Sequence, residues 1–246
     1  MPCIFNVVSH IRQAYQLNDI EVKEFNATEA LTAQSIRDNA LTINNIPIND
    51  AEPTLDMYNS LQGIRQYYEF VDIDVDRYYF NGEYRQVFLG VREMNNENLA
   101  ENAKTWINQH LKYTHGFGIA ISPVNEVTSV GQPALALKDI PPTTHIPELN
   151  VDQPRVYFGE RTDSYAIVNA KTDEFDYPMG NDNAETQYEA QTGLSLKGYN
   201  RIAFAINEKT IKILFSSDIS SDSQILIRRN VMQRVKLLAP FLHYDD

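Results

Sequence analysis

Cysteine is almost absent from this chain. Cys3 is the single one in 246 residues, so no intramolecular disulfide can form and cysteine usage assigns no redox compartment. Cys3 also has no histidine in a recognisable catalytic context, which excludes reading it as a nucleophile. No stretch approaches the roughly 18–20 apolar residues of a membrane-crossing helix. Residues 1–10 carry no basic region followed by a long apolar run, so they do not read as a secretory signal. Positive charge is scarce: 21 Lys and Arg stand against 33 Asp and Glu, a net charge of −12. That excludes a general nucleic-acid binder, which needs a basic face to displace phosphate counterions. A Walker loop, a Gly-x-Ser-x-Gly elbow and a Rossmann fingerprint are all missing. The sequence therefore names no reaction.

What is present describes a globular, soluble chain. Hydrophobic residues make up 43% and charged residues 22%, within the range of folded domains. Apolar spacing predicts helices over 4–17, over 33–45 behind a Thr32 cap, and from Pro53 to about Tyr67. Alternation predicts a short strand over 20–25. Asn81-Gly82 supplies the positive φ angles of a type I′ turn and predicts a β-hairpin over 71–91. A helix is expected over 97–112 with Leu99, Ala103, Trp106, Ile107 and Leu111 inward, then a buried strand over 116–122. Five of the eleven prolines fall between Pro133 and Pro154, which marks an extended crossover. Strands are expected near 155–159 and 164–170. Helices follow over about 197–239, the last over 224–239 behind a Ser221 capping box. The class is α+β: a mixed antiparallel sheet with helices packed on it and a helical C-terminal segment. The chain reads as one domain, divisible into a lobe over 1–132, the crossover 133–154, and a region of strands then helices over 155–246.

Charge is uneven. Residues 197–246 hold eight Lys and Arg against five acids, a net +3, which leaves −15 for residues 1–196. The bland reading is a solvated cationic helical layer. The functional one is docking of the 197–238 segment, through Arg228, Arg229, Arg234 and Lys236, on an anionic membrane surface or an acidic partner.

Three constellations could carry chemistry. Asp72, Asp74 and Asp76 share one face of a strand. Strict pairing about Asn81-Gly82 sets Asp76 opposite Val87 and Asp74 opposite Leu89, which puts acids on the aliphatic face. A one-residue bulge near Arg77–Tyr79, or a strand ending before Arg77, would resolve that conflict. The sharper alternative is oxygen ligation of Ca2+ or Mg2+. His110 and His115 are five apart, about 140° on a helix, so they are not a His-x-x-x-His zinc pair. Asp173 to Asn183, including Asp176 and Asp182, is rich in oxygen but lacks EF-hand spacing, and a solvated turn is the default. Asn26-Ala27-Thr28 matches a short glycosylation acceptor.

Several stretches together resemble one family: Asp74-Val-Asp-Arg-Tyr78, Asn81-Gly-Glu-Tyr-Arg-Gln86, Trp106-Ile-Asn-Gln-His-Leu111, Tyr113-Thr-His-Gly116, Ser122-Pro-Val-Asn-Glu-Val-Thr128, Asp139-Ile-Pro-Pro142, Glu174-Phe-Asp-Tyr-Pro178 and Ala239-Pro-Phe-Leu-His-Tyr-Asp-Asp246. The chain is similar to the extracytoplasmic part of uncharacterised protein family 0182, large bacterial multi-pass membrane proteins. The chain departs from the family pattern at Gln191 to Leu196, where a Gly-Gly pair and a proline are expected. The resemblance implies a fragment, with membrane helices upstream, further soluble chain downstream, and the transmembrane part as partner. It supplies a place and no activity. The leading expectation is a non-catalytic ligand- or partner-binding domain. The rivals are a metal-dependent hydrolase or transferase using Asp72, Asp74, Asp76 with His110 or His115, and a purely structural ectodomain.

Overall fold

The computed structural model describes residues 12–13, 20–21, 23–24, 31–180, 182–190 and 192–244. The helix expected over 4–17 lies outside the described residues except at 12–13. Of the strand expected over 20–25, residues 20, 21, 23 and 24 are described and none is in a strand. Cys3 and Asn26 lie outside the described residues. Two compact units are present, residues 1–40 and 41–246.

In the first unit, Thr32 caps α1 (Ala33–Asp38). Its hydroxyl accepts from Ser35 N at 3.0 Å, and Ser35 Oγ accepts from Thr32 N at 2.9 Å, a reciprocal box. The helix expected over 33–45 is interrupted at Asn39, and a further short helix covers Ala40–Ile43. At Asn39 the backbone leaves the helical region and the side-chain amide donates to Ser35 O.

The second unit is built on an antiparallel sheet. α2 (Ala51–Gln62) starts at an Asp50 cap, three residues before Pro53. It ends at Gln62, whose carbonyl accepts from Arg92 Nε at 2.8 Å, and Ile64 at φ 60° then turns the chain. Tyr67 and Tyr68 are thereby delivered to the sheet and do not extend the helix. β1 (Tyr68–Phe70) and β2 (Asp74–Phe80) both pair with the long β3 (Glu83–Met94). After the two-residue β4 (Gly116–Phe117), β5 (Ile119–Pro123) pairs along the other side of β3. β6 (Leu137–Lys138) and β7 (Thr143–Thr144) continue the sheet outward. The proline-rich crossover thus lies inside the second unit and supplies its outermost strands. Met57 and Tyr58 of α2 pack on one face of the sheet against Phe70, Ile73, Phe88 and Ala120. On the other face, Phe80, Val87, Ile121 and Leu137 pack with Leu149.

The hairpin forms as its turn predicts, with Asn81 at φ 52° and Gly82 at φ 74°. The expected bulge is absent. Register runs unbroken from Phe80↔Glu83 through Asp76↔Val87 to Asp74↔Leu89. The acids do sit on the aliphatic face, but Leu149 covers that face near the hairpin tip. At Asp74 and Asp76, β2 is a sheet edge and the side chains reach water.

The single helix expected over 97–112 is replaced by two 3₁₀ turns (Asn96–Asn98 and Glu101–Ala103) and a π-helical turn (Asn108–Lys112). Side-chain amides compete with the helical ladder here. Asn96 Nδ2 donates to Gln109 O, and Asn108 Nδ2 donates to Ala103 O. Leu99 and Leu111 are buried as expected, whereas Ile107 is exposed. The strand expected over 116–122 breaks at Gly118 into β4 and β5.

Short elements make up the rest. β8 (Arg155–Val156) pairs with β4. β9 (Ala166–Val168) precedes the hairpin of β10 (Glu174–Met179) and β11 (Asp182–Thr186), so the first part of the expected solvated turn, Glu174 to Asp176, is buried strand, while Gly180, Asp182 and Asn183 are exposed. β12 (Leu194–Ser195), α3 (Tyr199–Asn207), α4 (Lys212–Phe215), β13 (Gln224–Leu226) and α5 (Val231–Leu238) follow. Of the helix expected over 224–239, residues 224–226 are strand and only 231–238 are helical. Ile225 and Leu226 are buried between β12 and β9, and packing overrides helical periodicity there. The cap is Asn230, whose Oδ1 accepts from Gln233 N at 3.0 Å, and Ser221 is exposed. The α+β class is as the sequence implies.

A Cβ placed on Gly116 would lie 2.1 Å from Arg92 O and 2.7 Å from Glu93 Cα, both main-chain atoms. Gly116→Ala is therefore expected to destabilise the protein by about 3 kcal/mol in urea unfolding. Gly82→Ala, in open space at φ 74°, should cost only about 1 kcal/mol.

Candidate functional site

Of the acids and histidines singled out from sequence, the fold gathers two. His115, just before β4, faces Asp176 on β10, with Nε2 3.3 Å from Oδ1. A bulge in the β10–β11 pairing falls between Phe175 and Tyr177 and makes Asp176 the extra residue. Bulges of this kind re-aim a side chain, and Glu174, Phe175 and Asp176 are all buried in succession.

Around this pair lie residues that sequence reasoning missed. Arg155 on β8 grips Asp176 with two parallel hydrogen bonds, Nε to Oδ1 at 2.8 Å and Nη2 to Oδ2 at 2.9 Å. Glu174 Oε2 accepts from the Thr114 hydroxyl and, at 3.0 Å, from Tyr157 OH. Its Oε1 is buried with no partner among the described residues. His115 Nδ1 stands 3.0 Å from Thr114 Oγ1. Because Thr114 donates to Glu174, its oxygen is left to accept from the ring, and the Asp176 carboxylate also accepts. Burial alone would raise the Asp176 carboxyl, but the hydrogen bonds and positive charge of His115 and Arg155 outweigh it and hold the group below the ordinary aspartate value.

Arg229 closes the network. Its Nε donates to Tyr157 O at 2.8 Å, Nη1 to Ser164 O at 3.3 Å, and Nη2 to Thr114 O. Burial pushes this guanidinium down to about 10, against the pull of Tyr157, Glu174 and Glu93. Arg229 is thus not available to a membrane or partner, in contrast to the sequence expectation. Arg228, Arg234 and Lys236 are exposed. On β3, Glu93 accepts from Glu160 N and Arg161 N at 2.7 and 2.9 Å. Neighbouring Arg92 donates to Gln62 O and Phe117 O and lies over the Phe70 ring. A sequence signal for these two did exist: an Arg-Glu pair inside an otherwise apolar strand has to be paired.

The remaining candidates stay apart from this cluster. His110 stacks on Tyr165 at 4.0 Å between ring centroids, with Nδ1 2.9 Å from Tyr165 O. Burial lowers its pKa first, and the bond to that carbonyl opposes the shift. Asp72 and Asp76 are exposed and each accepts from the next backbone N–H. The carboxyl of Glu160 is raised by burial first, then by Glu93, Asp72 and Asp74. Asp182 is exposed at the start of β11. Among the described residues, no three His, Cys, Asp or Glu side chains converge as a metal site. The His115 cluster has the residue types of acid–base chemistry. Its His, Glu and Asp are nevertheless closed to solvent, and each is engaged by fixed partners.

A second feature is superficial. Exposed apolar side chains accumulate on the C-terminal elements, among them Tyr199, Ile206, Ile211, Phe215, Leu237, Leu238 and Phe241. Two grooves lie among them. One, of about 500 Å³, is bounded by Trp106, Ile107, Ile211 and Phe215. The other, of about 400 Å³, runs between β13 and α5.

The family profile of the uncharacterised protein family UPF0182 matches residues 1–246. The chain belongs to that family. A UPF0182 protein of Alkaliphilus metalliredigens is 49% identical over 246 residues, all of this chain and 26% of its own length. One from Desulfitobacterium hafniense is 46% identical over 245 residues, again 26% of its length, and one from Clostridium botulinum is 48% identical over 245 residues, 27% of its length. The chain therefore spans about a quarter of the curated UPF0182 relatives it matches. No solved structure matches it. Among the described residues, no helix is long and apolar enough to cross a membrane. The family is uncharacterised and names no activity.

A folded-state carboxyl held below its unfolded value makes the unfolded state bind more protons, so stability rises with pH through that window. The contribution of Asp176 is expected in full above the unfolded aspartate value near 3.8 and lost as pH falls below it. Urea midpoints taken across this range should flatten in Asp176→Asn. Arg155→Met, which strips two charged hydrogen bonds from Asp176, should cost about 2–3 kcal/mol at neutral pH.

Proposed function

We propose that these residues form a non-catalytic, partner-binding domain of a larger bacterial membrane protein, on its extracytoplasmic side. Its partner is the remaining polypeptide of the same protein. The observation that carries this reading is the groove at Trp106. Ile211 and Phe215 are 67% and 77% exposed at its edge, and Ile107 lines it beside them. Along α3, Tyr199 and Ile206 add to the apolar surface. A contiguous apolar patch marks a contact surface, and the curated UPF0182 relatives carry about three times as much additional chain that could cover it. The polar cluster supports the non-catalytic part, because its acids and histidine are buried and tie strands together. The extracytoplasmic placement rests on the family resemblance.

Hydrogen exchange compares the full-length protein with the 246-residue chain. Amides over residues 199–217 should exchange about tenfold more slowly in the full-length protein. Equal rates in the two would overturn the proposal. Ile211→Asp with Phe215→Asp should leave the stability of the isolated chain within about 0.5 kcal/mol and remove the added protection.

A further inference from the structure

A second surface carries a different partner chemistry. The groove between β13 and α5 has an apolar floor and wall, including Phe158, Leu226, Leu237 and Leu238, with Arg228 and Arg234 at its rim. The Arg234 guanidinium lies 4.6 Å from the centre of the Phe158 ring, and its Nη1 donates to Arg228 O at 3.3 Å. These contacts fix one cation along the groove wall. Among the described residues, neither arginine has a carboxylate within ion-pairing distance. Beside the groove, Leu238 and Phe241 are 81% and 80% exposed. Two unpaired guanidiniums over an apolar floor match a molecule with an anionic head and an apolar chain.

We propose that this groove and the outer face of α5 seat anionic phospholipid at a bilayer surface. Guanidinium is suited to phosphate, which it can engage through two parallel N–H bonds. The exposed leucines and Phe241 enter the boundary between headgroups and acyl chains, as the apolar face of an interfacial helix does. Charge supports this choice of occupant. A second copy meeting this face with the same face would bring like charges against Arg228 and Arg234, whereas an anionic bilayer neutralises them. The −15 of residues 1–196 is repelled by the same surface, so contact is expected through the basic groove and not elsewhere. This site is separate from the groove at Trp106 and does not depend on the proposal made for it.

Flotation of the 246-residue chain with vesicles tests the assignment. Vesicles of phosphatidylcholine mixed with phosphatidylglycerol are compared with phosphatidylcholine alone, at low and high salt. Binding is expected only with phosphatidylglycerol and should weaken as salt screens it. Arg228→Ser with Arg234→Ser should lower the partition coefficient about 30-fold, equivalent to about 1 kcal/mol per arginine. Leu238→Ser should lower it as well. Lys197→Ser with Lys209→Ser removes the same charge from the same basic segment, away from the groove, and should lower it far less. Thermal melts establish that each variant is folded. Equal binding to neutral vesicles, no binding at all, or equal losses in the two double variants would each overturn the proposal.

Discussion

The C-terminal half of this fold depends on one buried cation. Arg229 points inward and donates to three main-chain carbonyls, those of Thr114, Tyr157 and Ser164. These belong to the segment before β4, the end of β8 and the approach to β9. The strands concerned are only two or three residues long. A ladder so short provides little stability on its own, so side-chain donors replace it. Arg92 does the same at the sheet, joining the end of α2 to β4 through Gln62 O and Phe117 O. A buried guanidinium is costly to desolvate, and it is tolerated here because its donors meet carbonyls and its charge has Glu93 and Glu174 nearby.

This constraint explains why the polar cluster has the residue types of a catalytic centre while its histidine and acids are buried. Once Arg229 is drawn inside and Arg155 is half-buried beside it, carboxylates have to follow. Glu174 and Asp176 come from one strand because the bulge at Asp176 allows successive residues to face into the structure. His115 then lies between them, with both ring nitrogens occupied. The same side chains could move protons if a ligand displaced a partner. In their present geometry they fix the relative position of β4, β8 and β10.

The sequence was legible where local chemistry decides conformation. The Asn81-Gly82 turn and the Thr32 cap follow from nearest-neighbour rules, whereas the unbroken pairing of Asp74 with Leu89 goes against the bulge that the pattern of acids suggests. It was least legible where distant packing competes with periodicity. Residues 224–226 keep a helical apolar spacing but become a central strand, because β9 and β12 offer a buried slot between them. The 97–112 segment has helical periodicity too, yet asparagine amides at Asn96 and Asn108 take over its backbone partners. In the candidate site, His115 and Asp176 were visible as residue types. Glu174 lay in the same oxygen-rich stretch, but Arg155, Thr114 and Tyr157 were not visible, because their meeting depends on strands that come together only in the folded chain.

The loss of the helix at 224–230 also changes what the charge count means. On one continuous helix, Arg228 and Arg229 would sit about 100° apart and both could face solvent. In the protein, Arg228 adopts φ 50° at the exit of β13. That turn sends Arg229 into the core and leaves Arg228 outside. One unit of the +3 carried by residues 197–246 is therefore internal and is matched by buried acids. The outward cations are fewer, but those at the groove are more directed. A left-handed turn at a non-glycine residue is strained, and here it separates a structural arginine from one available to a partner. Neither composition nor periodicity carries that distinction.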